Sequence, residues 1–348
     1  YQLSKRAEFG EAARERLLAY AGAFPEGNLC RGGYGYTTAY ALFDVVVAYD
    51  LVHDSPALSD ADREVIERMV RLGFQGMARK GDVMRINNRG AVCLGAMAAI
   101  AFCLKDRDLI DWALNGPYGF NYHLQAGIGD DGIWSEGVSY GYMALGAPLR
   151  WNCGYLSVAE AAHHAGIDLF SHARLRRLLD APLEYAFPDH SLPADGHCPY
   201  SEATLLGRDK ARRYIKPWLR TGDPRYVWVI SEGFQIDNWP APGGLAADLY
   251  LLAGIDWANF PSGKPPERTS ALYPQVGHAM LRSGRGRDAV CLFFDYGAFG
   301  SHGNPDKLNM GLYALDHVLS PDGTTGYWWP ETFMYECQTL GHNTVVVD

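Results

Sequence analysis

Four short stretches of this chain gather side chains able to hold a carboxylate or move a proton. The first is Arg85-Ile86-Asn87-Asn88-Arg89-Gly90, at the entry to an Ala-rich helical pattern. Asparagine at such a place reads as a helix N-cap. An amide and a guanidinium at a positive helix end would equally suit a bound carboxylate. The second runs from Gly129 to Tyr140 and holds Trp134, Glu136 and Tyr140. Glu136 and Tyr140 stand four residues apart, so a helix over 135–147 would put them on one face. They read either as a solvated glutamate with a core tyrosine, or as a phenol projecting into a cleft with Trp134 as a stacking platform. The third is Gly300-Ser301-His302-Gly303-Asn304-Pro305-Asp306-Lys307, a polar loop that makes poor core material and points to function. In the fourth, Asp322 and His342 lie on separate loops that, with the Asn304 carbonyl, have the chemistry to ligate a divalent metal. His197, in LPADGHCPYS, is a further cleft candidate, against the plainer reading of an exposed loop histidine.

Something must position these groups. From residue 5 to about 255 apolar residues recur at helical spacing. Segment 7–23 is amphipathic, and 37–53 is apolar nearly all round. Segment 59–78 opens on Ser59 as an N-cap, with Asp62 three residues on and Val65, Ile66, Met69 and Val70 as its inner stripe. Segment 88–104 is rich in Ala and Gly, the mark of a closely packed helix. Further helical patterns cover 106–114, 135–147, 157–165, 171–187 and 244–253. Alternating amphipathic and apolar helices imply a double layer, as in an α/α toroid or a helical solenoid. After about 262 a Pro/Lys linker gives way to short apolar or alternating runs at 277–283, 289–297, 308–315 and 343–348, separated by turn residues. These read as antiparallel strands. The fold class is therefore α+β in series.

Composition narrows the function. With 348 residues, 48% hydrophobic and 20% charged, the chain can bury a large core, and no apolar run reaches membrane-spanning length. A net charge of −9 argues against a broad nucleic-acid surface, while leaving room for an anionic ligand where a few arginines converge. The seven cysteines show no CxxC and no regular spacing, so a disulfide scaffold is not expected. The chain starts without Met and stops inside an apparent strand, so it reads as a piece of something longer.

Taken in order, NNRG at 87–90, WSEGVSY at 134–140, SHGNPDKLNMGLYALDHVLSPDGTTGYW at 301–328 and GHNTVVVD at 341–348 resemble the heparinase II/III-like polysaccharide lyases. The resemblance covers most of the chain. It implies a catalytic (α/α) toroid over 1–262 and the start of an antiparallel β-sandwich, cut short, over 263–348. Carried over by position, it makes Asn88 a neutraliser of the substrate carboxylate, Tyr140 the catalytic acid and perhaps the base, and His302 a second base or neutraliser. Arg85, Arg89, Trp134, Glu136 and His197 fall to substrate binding. Asn304, Asp322 and His342 would hold one structural divalent ion, whether zinc, manganese or calcium, with no organic cofactor. Arg89 stands where many relatives carry His, and Asn304 where they often place a metal-binding His.

The implied reaction is β-elimination at a 4-linked uronic acid in an acidic polysaccharide or oligosaccharide. A carboxylate must be masked by hydrogen-bond donors before the C5 proton beside it can leave, and Asn88 and Arg89 have that donor inventory. A phenol, ordinarily near pKa ~10, can serve either proton step if positive charge lowers it, and an imidazole near ~6.5 is the better neutral-pH base. Arg85, Arg89, Arg150 and Lys307 would meet sulfates, which favours a glycosaminoglycan over alginate. A periplasmic or secreted location fits that substrate. The rival readings are a toroid glycoside hydrolase using Asp130, Asp131 and Glu136, and a non-catalytic protein that binds acidic sugars.

Overall fold

The computed structural model describes residues 5–28, 33–146, 153–195, 204–234, 255–256, 259–297, 307–320 and 341–345. Among them the helices come first: α1 (Ala7–Ala23), α2 (Tyr36–Val52), α3 (Asp60–Lys80), α4 (Asn88–Cys103), α5 (Arg107–Asn115), α6 (Phe120–Gly127), α7 (Val138–Leu145), α8 (Tyr155–His164), α9 (Ala173–Tyr185), α10 (Arg208–Thr221) and α11 (Pro224–Phe234). Five strands follow: β1 (Ala271–Tyr273), β2 (His278–Ser283), β3 (Val290–Asp295), β4 (Asn309–Ala314) and β5 (His317–Ser320). The expected order of helices before antiparallel strands is borne out. By contacts the chain divides into two compact units, Tyr1–Leu124 with Met143–Leu169, and Gln125–Tyr142 with Phe170–Asp348.

In the first unit α3 begins where its sequence says it should. Ser59 accepts from the Asp62 amide while Asp62 accepts from the Ser59 amide, a full capping box. Its buried stripe is Ile66, Met69, Val70, Gly73, Phe74 and Met77. Val65, expected in that stripe, is 49% exposed, because it lies one helical step off the Ile66–Met69–Val70 face. The centre of the unit is α4, against which α2, α5 and α8 pack. Its Ala and Gly content acts where helices touch. A Cβ on Gly95 would stand 2.5 Å from the Gly154 nitrogen at the head of α8, and one on Gly154 would stand 2.5 Å from the Ala144 carbonyl of α7. Three backbones thus meet with no side chain between them.

In the second unit the sheet runs β1-β2-β3-β4-β5, every neighbour antiparallel and adjacent in sequence. Along β3 alternation puts Cys291, Phe293 and Asp295 inside. Tyr185, near the end of α9, closes that face against Tyr273, His278 and Phe293. The β4–β5 turn is Leu315-Asp316, both with positive φ (54° and 61°), the conformation of a tight hairpin turn built here without glycine. The expected last strand, 343–348, is not one as far as it is described. Residues 343–345 instead run beside β4, the Asn343 amide donating to Asn309 Oδ1 and its carbonyl accepting from Met310.

Helices α6, α10 and α11 lie outside the helical segments expected from the sequence. Helix α10, RDKARRYIKPWLRT, is dominated by charged residues, buries Ala211, Arg213, Tyr214, Ile215 and Pro217, and carries that proline inside it, so few apolar residues mark it. The pattern at 244–253 lies outside the described residues. Cys93, Cys103, Cys153 and Cys291 are unpaired thiols, in keeping with the expectation of no disulfide scaffold. Among the described residues no helix is long and apolar enough to cross a membrane.

Candidate active site

The Asn-rich stretch resolves into two different asparagines. Asn87 is the N-cap of α4, its side-chain oxygen accepting from the Gly90 amide at 2.9 Å. Asn88 is the first residue of the helix, half-buried, and its amide donates to the Met143 sulfur of α7 at 3.8 Å. Gly90 is required for this entry, since a Cβ there would lie 1.9 Å from the Arg85 carbonyl. The preceding turn is pinned from below by His123, which is fully buried. Its Nε2 contacts the Val83 carbonyl at 2.8 Å and its Nδ1 the Tyr155 hydroxyl at 3.1 Å. Burial lowers the His123 pKa to about 4, so this pin is neutral at ordinary pH.

Two arginines flank Asn88. Arg89 is exposed, its guanidinium carbon 4.9 Å from the centre of the Tyr36 ring. Arg85, also exposed, has its Nε 3.8 Å from Asp82 Oδ1. Cation density and the helix N-terminus therefore coincide at Asn88, all within the first unit.

The stretch around Tyr140 departs from the sequence expectation. Helix α7 starts only at Val138, because Gly137 takes φ +88°, a left-handed conformation that breaks helical continuity. Glu136 thus sits in the turn before the helix, and the shared face with Tyr140 does not form. Trp134 is fully buried and its indole N–H donates to Glu136 Oε2 at 3.2 Å, with Glu136 itself only 4% exposed. The stacking platform is corrected accordingly: a ring with no accessible surface offers no face to a sugar. Glu136 is likewise committed to the tryptophan rather than presented to substrate. Tyr140 is half-buried in the first turn of α7. Lys307, expected to meet sulfate, is paired to Asp295 at 2.7 Å. His342 is half-buried. His302, His197, Asn304, Asp322 and Arg150 lie outside the described residues. Among the described residues no group of three or more His, Cys, Asp or Glu is placed to hold a metal.

No curated protein matches the chain by sequence. Residues 265–348 match the family model described as heparinase II/III-like, C-terminal. Solved structures extend the likeness to the helices. The heparan sulfate lyase HepC from Pedobacter heparinus superposes with a TM-score of 0.64 at 14% identity, over 94% of this chain and 48% of that one. A heparinase III with methylated lysines gives 0.61 at 15% identity, over 89% and 44%. A further heparinase III gives 0.59 at 13% identity, over 89% and 46%. The chain spans less than half the length of each, and at these identities the likeness is one of fold. It bears out the expected architecture of helical toroid followed by β-sandwich.

A further cluster lies in the second unit. Tyr185 Oη lies 2.6 Å from His278 Nδ1, His278 Nε2 lies 3.6 Å from Asp295 Oδ1, and Asp295 takes the Lys307 ammonium and the Gly297 amide. Tyr185, His278 and Asp295 are buried. Desolvation pushes His278 down to about 4. Beside them Asp195 receives the Val138 amide at 2.8 Å, and desolvation pushes its pKa up to about 7, Asp295 adding to the rise and Lys307 opposing it. The sequence signal for Asp195 is a carboxylate inside the apolar LPAD stretch, two residues before His197.

Proposed function

We propose that this chain carries the helical part of a polysaccharide lyase acting on 4-linked uronates, glycosaminoglycans before alginate, by β-elimination. The observation that carries the reading is the division of labour at the head of α4. Asn87 does the capping, and the Asn88 amide meets Met143 in the helix that also bears Tyr140. The lyase fold of the solved heparinases, shared over nearly the whole chain, supports it as well.

In the proposed reaction Asn88 and Arg89 donate hydrogen bonds to the uronate carboxylate, so that charge arriving from C5 is stabilised as it develops. A base takes the C5 proton, either Tyr140 or His302. The electron pair left behind forms the C4–C5 double bond, the C4–O4 bond breaks, and the departing O4 takes a proton from Tyr140. A divalent ion held by Asn304, Asp322 and His342 belongs to the proposal as a structural element, and no step depends on it. The reading puts the protein in the periplasm or outside the cell, where such polymers occur.

The test is turnover of a panel of heparan sulfate, chondroitin, hyaluronan and alginate, followed by near-ultraviolet absorption. Growth of absorbance from an unsaturated uronate is expected with at least one polymer. New reducing ends without absorbance would replace the lyase with a hydrolase, and binding without either would leave a sugar-binding protein.

A further inference from the structure

The first unit contains an open groove of about 700 Å³ lined by α3 and by residues between Ala21 and Tyr34, within the size range of small-ligand sites. Its lining includes Tyr34, Met69 and Leu72 together with the cations Arg68, Arg79 and Lys80, and Glu26 is the one carboxylate among the lining residues. Tyr34 is held in place. Its ring lies on Gly76, where a Cβ would come within 2.1–2.4 Å of three ring carbons, and its hydroxyl donates to the Glu26 carbonyl at 3.1 Å. The glycine is what lets an aromatic ring lie flat against the helix.

The charges over the groove differ from the other cations of the same helix. Arg63 is paired with Asp60, and Arg71 with Asp106. Among the described residues no carboxylate pairs with Arg68, Arg79 or Lys80, and all three are exposed. Arg79 and Lys80 in the last turn complement the helix dipole, but Arg68 lies too far back to do so. A net positive groove in a chain of net charge −9 concentrates anions locally.

We propose that this groove is a second anionic-saccharide site, in which a sugar ring lies against Tyr34 while its sulfate or carboxylate meets Arg68, Arg79 and Lys80. An aromatic wall beside separated cations suits a sulfated sugar better than an isolated phosphate, which has no ring to lay on Tyr34. The proposal rests on the lyase reading only for the expectation that such sugars are the protein's ligands. The chain also runs from the groove to the Asn88 segment, since Tyr34 leads into Tyr36 beneath Arg89, and Lys80 leads into Asp82. A polymer held at both places would gain affinity from the groove without any change in the chemical step.

The experiment measures binding of size-matched heparin and hyaluronan hexasaccharides to the intact chain by calorimetry, at two salt concentrations. Arg68→Gln/Arg79→Gln and, separately, Tyr34→Ala are compared with Arg287→Gln, which removes an exposed charge in the second unit. Circular dichroism confirms that each is folded. The groove variants are expected to raise Kd about tenfold for the sulfated probe and to flatten its salt dependence, with Arg287→Gln unchanged. On polymer substrate they should raise KM and leave kcat alone. Wild-type affinity in both groove variants, or no binding by the wild type, would overturn the site. Groove-dependent binding in a chain that turns over nothing would retain the site and remove the lyase.

Discussion

Asp195 and Val138 are joined by a hydrogen bond of 2.8 Å, the first backbone amide of α7 donating to the carboxylate Oδ2. The carboxylate caps the helix that bears Tyr140 and fills the space a side chain at Gly137 would need, a Cβ there lying 2.7 Å from Oδ2. Its other oxygen, Oδ1, is buried with no hydrogen-bond partner among the described residues. An anion at a helix N-terminus is favoured, yet desolvation here outweighs that gain and raises the pKa from 3.8 to about 7.

This arrangement makes stability depend on pH. Between about 4 and 7 the unfolded chain has lost the Asp195 proton and the folded chain keeps it, so this group withdraws stability as pH rises through that window. Asp195→Asn keeps an acceptor for Val138 and cannot ionise. Its melting temperature relative to wild type should therefore climb from pH 4 to pH 7 and level off above. A difference that stays flat across the range would remove the buried charge.

The two asparagines should separate cleanly. Asn87→Ala loses a cap and is expected to cost about 1 kcal/mol of stability in denaturant unfolding. Asn88→Ala should leave unfolding nearly unchanged and lower kcat by about 10²–10³, the loss typical of one oxyanion donor. An effect of Asn88→Ala confined to KM would make it a ground-state contact only.

Tyr140→Phe removes one hydroxyl from a half-buried ring. Turnover should vanish while the circular dichroism spectrum and melting temperature stay close to wild type. Rates near normal would take the phenol out of the proton transfers.

Trp134 is buried, so it should behave as core and not as a sugar platform. Trp134→Ala is expected to cost about 3–5 kcal/mol of stability. A variant that keeps its melting temperature but loses substrate affinity would restore the platform.

The β4–β5 turn places Leu315, 74% exposed, and Asp316 in the left-handed region. Such φ values cost most residues about 1–2 kcal/mol. Leu315→Asn with Asp316→Gly supplies the dipeptide this turn favours, and thermal unfolding should move upward.

The sequence foretold most where one local signal dominated. Ser59 and Asp62 announce α3 because their hydrogen bonds are made within four residues. Short apolar runs bounded by turn residues announce β2, β3 and β4, because strand and turn chemistry are both local. The reading failed where a distant group or a backbone angle decided. Gly137 turns out of the helix because Asp195 waits to take the Val138 amide, a contact across 57 residues. Trp134 looked like a platform because aromatic residues serve cores and ligands alike. The choice between Asn87 and Asn88 for the cap depended on where the helix began, which composition does not set to within one residue. Lys307 looked available for sulfate until Asp295, on the neighbouring strand, took it.

The backbone junction at Gly95, Gly154 and Ala144 has a practical outcome for anyone screening variants of this chain. Any methyl group added there must push α8 away from α4 or the end of α7, disturbing the entry at Asn88 without coming near a ligand. A colony screen for lost activity would return Gly95 and Gly154 beside the true site residues. Only the purified proteins would tell them apart, by how readily each comes undone on heating.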